Sequence, residues 1–173
     1  IMLIKLQVKQ FSPKSKQKMD NIDSKILSEL QKNSRISNAD LAEKIGLSPT
    51  PCLRRLRRLE SDGLIQGYRT DLNLQKLGFG ISALIFVQLT LNSKRNAREF
   101  EDAISSIHRI QECLVLTGQH DYLLKVVAKD LSDYEHLVKG DIADIPNIKN
   151  IESTFVLNQM KLDFMLPLKA YSV

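Results

Sequence analysis

Residues 37–64, SNADLAEKIGLSPTPCLRRLRRLESDGL, constrain the fold of this chain most strongly because they contain two closely spaced helix starts. Ser37, followed three residues later by an aspartate, resembles a capping box and opens a short amphipathic helix that Gly46 ends. Ser48 then offers a second N-cap, and Pro49 occupies the first helical position, where its missing N–H costs nothing. The stretch predicts two short helices joined by a tight turn, which is a helix-turn-helix.

The second of these helices has one apolar side and one cationic side. On a helical wheel of 100° per residue, Cys52, Leu53 and Leu59 fall within about 60° of Leu56 and form the side that we expect to be buried. The remaining arc is polar and rich in arginine. A helix of this kind, placed second in a helix-turn-helix, suits the major groove of DNA.

Four arginines between positions 54 and 58 form the densest positive cluster in the body of the chain. The wheel directs Arg54 and Arg58 away from the apolar side and places Arg55 and Arg57 at its edges. The alternative is an ordinary solvated face, which is the commoner role of such a pattern. The candidate DNA-facing residues are Ser48, Thr50, Pro51, Arg54, Arg55 and Arg58.

The net charge of +5 does not by itself indicate a nucleic-acid partner. Residues 1–18 hold five lysines and no acid, so the remaining chain is balanced, with 20 basic and 20 acidic side chains. We expect these 18 residues to be a disordered or vector-derived tail, with Met19 as the natural start. A basic arm that touches phosphates is the alternative.

The remaining composition gives no sign of a membrane or secreted protein. Cys52 and Cys113 match no metal-binding or redox spacing, and two isolated thiols fit a reducing cytosol. No apolar run approaches the roughly 18 residues that a membrane span needs. We therefore expect a cytoplasmic protein with no membrane partner.

The hydrophobic period changes from helical to alternating in the second half of the chain. Residues 81–91 alternate with both faces largely apolar, which is typical of a central strand. A helix over 96–107, strands over 110–117 and 122–128, a helix over 131–145 and a last strand over 148–157 follow. This β-α-β-β-α-β order is that of a ferredoxin-like unit, in which the helices cover one face of an antiparallel sheet.

The predicted architecture is therefore an α+β protein of two domains. A first helix from Asp20 joins the motif helices in a winged helix-turn-helix domain over 19–72, in which residues 64–73 form a wing or a linking strand. A linker over 73–80 leads to the ferredoxin-like domain over 81–173. The sheet face that no helix covers predicts a homodimer with two-fold symmetry, because large apolar patches are rare on soluble monomers.

Several sequence words make the chain similar to a known family. From about residue 19 to 168 it resembles the Lrp/AsnC, or feast/famine, family of bacterial and archaeal transcription regulators. The matching words are IDSKILSELQKNSRISNADLAEKIGLSPTPCLRRLRRLE, GLIQGY, IQECLVLTGQHDYLLKV and FVLNQMK. The block GLSPTPCL with GLIQGY resembles the leucine-responsive branch most closely.

The resemblance implies properties that spacing alone does not give. Members dimerise through a C-terminal sheet domain of the RAM or Lrp type, often assemble into octamers, and bend or wrap DNA in association with the nucleoid. They bind a small amino acid between subunits, for which leucine or methionine is the first guess here. The implied effector-site residues are Gly118, Gln119, His120, Asp121 and Tyr122, with Thr154, Phe155 and Val156 as weaker candidates.

The chemistry of the loop at 117–122 agrees with this role. The ammonium of an amino acid needs a carboxylate, which Asp121 offers, and its carboxylate needs N–H donors, which the backbone at Gly118 can present because no Cβ blocks the approach. The alternative is a plain β-turn in which Asp121 only binds backbone. The Gln119-His120 pair departs from the residues that many members carry here, which leaves the ligand open.

Catalysis is not expected, and neither is a metal or a resident cofactor. His108, His120 and His136 pair with no nucleophile at a recognisable spacing, and no phosphate-binding loop is present. Two alternatives to an amino-acid-responsive regulator remain. One is a DNA-wrapping nucleoid protein of the same fold, and the other is a metabolite-binding ferredoxin-like module without a DNA function.

Overall fold

The computed structural model describes residues 19–91 and 93–168. The chain divides into two compact units, a helical unit of residues 19–70 together with 163–168 and a sheet unit of residues 71–162. The expectations for residues 1–18 lie outside the described residues. Residues 163–168 group with the helical unit, whereas the sequence placed them with the sheet. Two hydrogen bonds explain this grouping, because the Gln31 side chain binds both the N–H and the carbonyl of Leu166.

The helical unit contains three helices, as expected. They are α1 (Asn21–Lys32), α2 (Asn38–Ile45) and α3 (Pro49–Ser61). The Ser37 side chain caps α2 by accepting from the Asp40 N–H at 3.1 Å, and Gly46 ends it at φ 75°. Ser48 is the N-cap residue of α3, but its side chain makes no capping hydrogen bond. The buried core comprises Ile26, Leu41, Ala42, Ile45, Cys52 and Leu59.

The segment after α3, residues 64–73 of the described chain, forms no strand. Gly63 takes a φ of +72°, and residues 66–70 pair with no strand in the described part of the chain. The Tyr68 hydroxyl donates a hydrogen bond of 2.8 Å to Glu60. Burial and this bond raise the pKa of Tyr68 to about 12, so the phenol stays protonated at neutral pH.

The sheet unit has the predicted β-α-β-β-α-β order. Its elements are β1 (Ile81–Leu89), α4 (Lys94–Ser105), β2 (Ile110–Val115), β3 (Tyr122–Ala128), α5 (Leu131–His136) and β4 (Ile148–Phe155). The strands lie in the order β2-β3-β1-β4, and every neighbouring pair is antiparallel. This arrangement confirms the ferredoxin-like prediction and places β1 in the centre of the sheet.

The helix predicted over 131–145 changes its winding half-way. After α5 the backbone continues as a π-helical segment, Leu137–Ile142, and the Ala143 N–H reaches back five residues to the Val138 carbonyl at 2.8 Å. One extra residue per turn shifts the later side chains around the axis. Leu137 and Ile142 are nevertheless both fully buried against the sheet.

The two faces of the sheet differ in what covers them. On one face, β1 and β3 pack beneath the helices, and this core contains Ala83, Ile85, Val87, Phe100, Tyr122, Leu124, Val126, Leu137 and Ile142. On the other face, the alternate residues of β1 remain half-exposed, among them Leu84 and Phe86. Leu84 lies between Lys125 and Thr154 in the register, so this open face mixes apolar and polar groups.

We expect Ile85→Ala to lower the free energy of unfolding of the chain by about 2–5 kcal/mol, because it leaves a cavity beneath the helices. Urea unfolding followed by circular dichroism at fixed protein concentration measures this change. Ser153→Ala, at the exposed residue paired with Ile85 on β4, is the matched control. Equal midpoints for the two variants would contradict the assigned core.

Candidate nucleic-acid interface and effector site

The N-terminal part of α3 presents a polar outer surface. Ser48, Thr50 and Arg54 are exposed, and Pro51 is half-buried. Within the described residues Arg54 and Arg57 have no ion-pair partner. Of the predicted DNA-facing residues, these exposed ones are available to a duplex.

Arg55 and Arg58 are held by carboxylates of the first helix. Arg55 Nη1 donates to Asp20 Oδ2 at 2.6 Å and to Asp23 Oδ1 at 3.0 Å. Arg58 Nη2 donates to Asp23 Oδ2 at 2.5 Å. Arg58 lies on the exposed side of α3, as the wheel indicates, and its side chain keeps 47% of its surface exposed, but its guanidinium reaches back to Asp23. A helical wheel gives only the direction of each Cβ. It does not show that a long arginine side chain can bend back to a buried carboxylate that needs a partner.

The two carboxylates also form the cap of α1. The Asp23 N–H donates to Asp20 Oδ1 at 2.8 Å, and the Asp20 N–H returns a bond to Asp23 Oδ2 at 3.2 Å. Burial raises the pKa of the Asp20 carboxyl, but the Asp23 N–H and Arg55 lower it by more, so it lies below its usual 3.8. Asp23 is only 1% exposed. Sequence reasoning missed this pair, although two aspartates three residues apart before an apolar run are a capping signal.

The turn between α2 and α3 is fixed by a side chain of α2. Asn38 Nδ2 donates to the Pro49 carbonyl at 2.9 Å, and the Leu47 N–H donates to the Ala42 carbonyl at 2.9 Å. The first of these bonds joins the first turns of the two helices, and the second closes the C-terminal end of α2. Together they hold the polar start of α3 against α2.

The loop between β2 and β3 is a tight turn with an open backbone. Gly118 has a φ of 114°, and a Cβ there would have no heavy atom within 4 Å. Asp121 closes the turn, since its carbonyl accepts from the Leu116 N–H at 2.8 Å and its Oδ2 accepts from the Leu89 N–H at 2.8 Å. Asp121 thus binds strand backbone, and Gln119 is exposed at the tip of the loop.

His120 lies on Phe86 at the edge of the open sheet face. Their ring centroids are 5.1 Å apart, and His120 Nε2 is 3.3 Å from Glu152 Oε2. The His120 side chain is 18% exposed. Glu152 is not among the residues predicted from the sequence, because only the register of β4 against β1 brings it opposite Phe86.

The remaining effector candidates lie on two different faces. Thr154 pairs with Leu84 on the open face, and the Val156 N–H donates to the Ser82 carbonyl at 2.9 Å. Phe155 turns to the helical face, where its ring lies 4.9 Å from that of Tyr134. The structure therefore does not bring the predicted set together in one place.

Tyr122 belongs to the helix-covered core. It is 3% exposed, its ring lies 4.6 Å from that of Phe100, and its hydroxyl donates to Glu101 Oε1 at 3.0 Å. Burial and Glu101 raise the pKa of Tyr122 well above its usual value. Tyr122 pairs with Val87 on the helix-covered face, whereas His120 lies in the loop against Phe86, so the two side chains are on opposite faces of the sheet. Tyr122 instead lines a cavity of about 480 Å³ with Glu101, Ile104, Ser105, Ile110, Gln111, Glu112, Cys113 and Val115.

The described residues offer neither a metal site nor a membrane-spanning helix. Residues 19–91 and 93–168 contain no group of three His, Cys, Asp or Glu side chains arranged to hold a metal ion. None of their helices combines the length and the apolar character that a bilayer crossing requires.

Comparison with known proteins agrees with both halves of this description. Residues 19–66 match the family model described as winged helix-turn-helix DNA-binding, and residues 82–166 match the Lrp/AsnC ligand binding domain. The leucine-responsive regulatory protein of Haemophilus influenzae is 38% identical over 163 residues, covering 94% of this chain and 98% of that protein. The protein of the same name from Escherichia coli K12 is 42% identical over 155 residues, covering 87% and 92%.

Solved structures show the same likeness. A transcriptional regulator from Neisseria meningitidis, in complex with L-methionine, superposes with a TM-score of 0.83 at 34% identity, covering 88% of this chain and 98% of that one. The AsnC structure from E. coli gives a TM-score of 0.77 at 26% identity, with coverage of 84% and 97%. The relatives are transcriptional regulators rather than enzymes. The chain therefore belongs to the Lrp/AsnC family of DNA-binding transcriptional regulators with a ligand-binding domain.

Proposed function

We propose that a small amino acid, leucine or methionine first, binds at the open sheet face between two subunits and changes the assembly and DNA binding of this regulator. The observation that carries the proposal is the position of His120, whose ring contacts Phe86 at a tilt of 45° beside Glu152, next to a loop whose Gly118 backbone is unobstructed. The L-methionine complex of the Neisseria regulator supports this class of ligand.

The groups at this edge match the two ends of an amino acid. Glu152 is half-exposed and carries a carboxylate that an ammonium can approach, whereas one oxygen of Asp121 already accepts from the Leu89 N–H. The backbone at Gly118 offers N–H donors to the ligand carboxylate. Phe86 and Leu84 supply apolar surface for an aliphatic or thioether side chain. Glu152 therefore replaces Asp121 as our first partner for the ammonium, and Tyr122 and Phe155 are left out of the ligand contacts.

A second subunit would complete this site. Leu84, Phe86, Leu114 and Leu123 occupy the face of the sheet opposite the described helices α4 and α5. We propose that two copies pack these faces together around a two-fold axis, and that the dimers assemble further into an octamer, as the resemblance implies. Ligand binding changes such an assembly only through different affinities for its alternative states.

For DNA, we propose that the exposed residues at the start of α3 enter the major groove. Ser48, Thr50 and Arg54 are the contacts that the geometry supports best, with Pro51 beside them. A DNA-wrapping nucleoid protein of the same fold remains the second candidate. The ratio of specific to non-specific affinity separates the two, because a wrapping protein discriminates little between sequences.

We expect Arg54→Ala to weaken binding to a selected operator by about 1–3 kcal/mol if Arg54 reads a base. Gel shifts on genomic fragments selected with the parent protein measure this loss. Arg98→Ala, which removes the same charge from an exposed position on α4, is the control. Operator binding as tight as that of the parent would remove Arg54 from the interface.

Calorimetry against the twenty amino acids, using protein freed of ligand by unfolding and refolding, tests the sensor role. We expect heat with leucine or methionine, and about tenfold weaker binding in His120→Ala, because the imidazole and its Phe86 contact are lost. His108→Ala, at an exposed histidine, is the control. The absence of heat with all twenty would overturn the proposal.

The subunit interface has its own test. Leu84→Glu should convert the dimer to a monomer in sedimentation equilibrium, because the proposed contact would bury two unpaired carboxylates. Ser153→Glu adds the same charge at an exposed residue of β4 whose register partner is Ile85, on the other face. A Leu84→Glu protein that still dimerises would place the interface elsewhere.

A further inference from the structure

The four arginines of α3 fall into two pairs that differ in how freely they carry charge. Arg54 and Arg57 are exposed and, in the described part of the chain, have no carboxylate within ion-pair distance. Arg55 and Arg58 lie one helical turn apart, and both bind Asp23. This division is invisible in the sequence RRLRR, which presents all four as equivalent.

Asp23 is placed to hold two guanidiniums at once. Its carboxylate is 1% exposed, and each oxygen accepts from a different arginine, Oδ1 from Arg55 and Oδ2 from Arg58. Oδ2 also accepts from the Asp20 N–H, which belongs to the cap of α1. A buried carboxylate requires such partners, because leaving it unpaired is far more costly than ordering two side chains.

The pairing with Asp23 reduces the net positive charge that Arg55 and Arg58 offer to DNA phosphates. A guanidinium bound to a carboxylate keeps unused N–H donors but contributes little net charge to the surface. Arg58 remains 47% exposed and Arg55 26%, so both reach the surface without acting as free cations. The free positive charge of α3 is then confined to Arg54 and Arg57.

We infer that Asp23, assisted by Asp20, is a positioning residue for DNA recognition that withholds Arg55 and Arg58 from the phosphate backbone and leaves Arg54 and Arg57 to face the duplex. The inference rests on the DNA-binding role of α3. It assigns a specificity function to an acidic residue that does not touch DNA. Non-specific affinity follows the number of phosphates neutralised, so withholding two arginines lowers background binding more than operator binding.

The test is the salt dependence of binding by Asp23→Asn, measured on the selected operator and on a scrambled duplex. The variant releases Arg58, whereas Arg55 keeps its bond to Asp20 at 2.6 Å. The slope of log K against log salt should therefore steepen by about 1, since each phosphate contact contributes roughly 0.9. When the salt concentration is lowered from 200 to 50 mM, the affinity of the variant for the scrambled duplex should rise about threefold more than that of the parent for each added phosphate contact. The ratio of operator to scrambled affinity should fall.

Three further variants separate positioning from loss of fold or a general charge effect. Glu29→Gln removes one acid from the same helix, but its partners are Lys32 and Lys44, so the slope should stay at the parent value. Asp23→Asn combined with Arg58→Gln should bring the slope back towards that value. If Asp23→Asn does not fold, Asp20→Asn keeps an N-cap residue and removes the shorter of the two Arg55 ion pairs, while Arg55 keeps Asp23. The slope should then steepen by less than about 1.

The outcomes are distinct. A steeper slope and reduced discrimination in the Asp23 or Asp20 variant, but not in Glu29→Gln, support the inference. An unchanged slope in a folded variant, or an equal change in Glu29→Gln, overturns it. If the parent protein binds no duplex even at low salt, the proposed DNA-binding role of α3 is itself overturned. That result is obtained before any variant is made, so it is distinguishable from failure of the inference about Asp23.

Discussion

A carboxylate buried at the start of the first helix, that of Asp23, determines which side of α3 is left exposed in the helical unit. Asp23 is nearly inaccessible, and its partners come from α3, more than thirty residues later in the sequence. Cys52 and Leu59 pack α3 onto the core of the helical unit. Such apolar contacts have no direction of their own, so they only weakly fix the rotation of α3 about its axis. Two guanidinium bonds to a fixed carboxylate add direction to that contact. The outer side of α3, with Thr50 and Arg54, follows from this arrangement.

In the sheet unit, α4 and α5 cover one face of the sheet, and the proposed ligand site lies at the other face. The helices bury the apolar residues on one side of β1 and β3, and the alternate residues of β1 stay half-exposed. The β2–β3 loop stands at the edge of that open face, so His120 lies over Phe86 while Tyr122, two positions later, packs into the core. His120 belongs to the loop and Tyr122 to the first position of β3, so a contiguous sequence word is divided between a surface position and a core position.

The sequence predicted the features that depend on local chemistry. Ser37, Gly46 and Pro49 mark the helix ends where capping rules place them, and the alternation of residues 81–91 identified the central strand. Capping and periodicity rules say nothing about contacts between residues that are far apart in the sequence. The bond from Arg58 to Asp23 and the contact of His120 with Glu152 were therefore not predicted. The π-helical turn after α5 also escaped prediction, because its apolar residues satisfy an ordinary helical period almost equally well.

The central claim is that the outer side of α3 enters the duplex, and site-directed crosslinking tests it most directly. A Cys113→Ser background leaves only the fully buried native Cys52, so Thr50→Cys or, as control, Asp102→Cys on α4 can be labelled with an aryl azide. On the selected operator, illumination should crosslink position 50 to bases of the major groove and position 102 to none. Crosslinks from position 102 but not from position 50 would contradict the account.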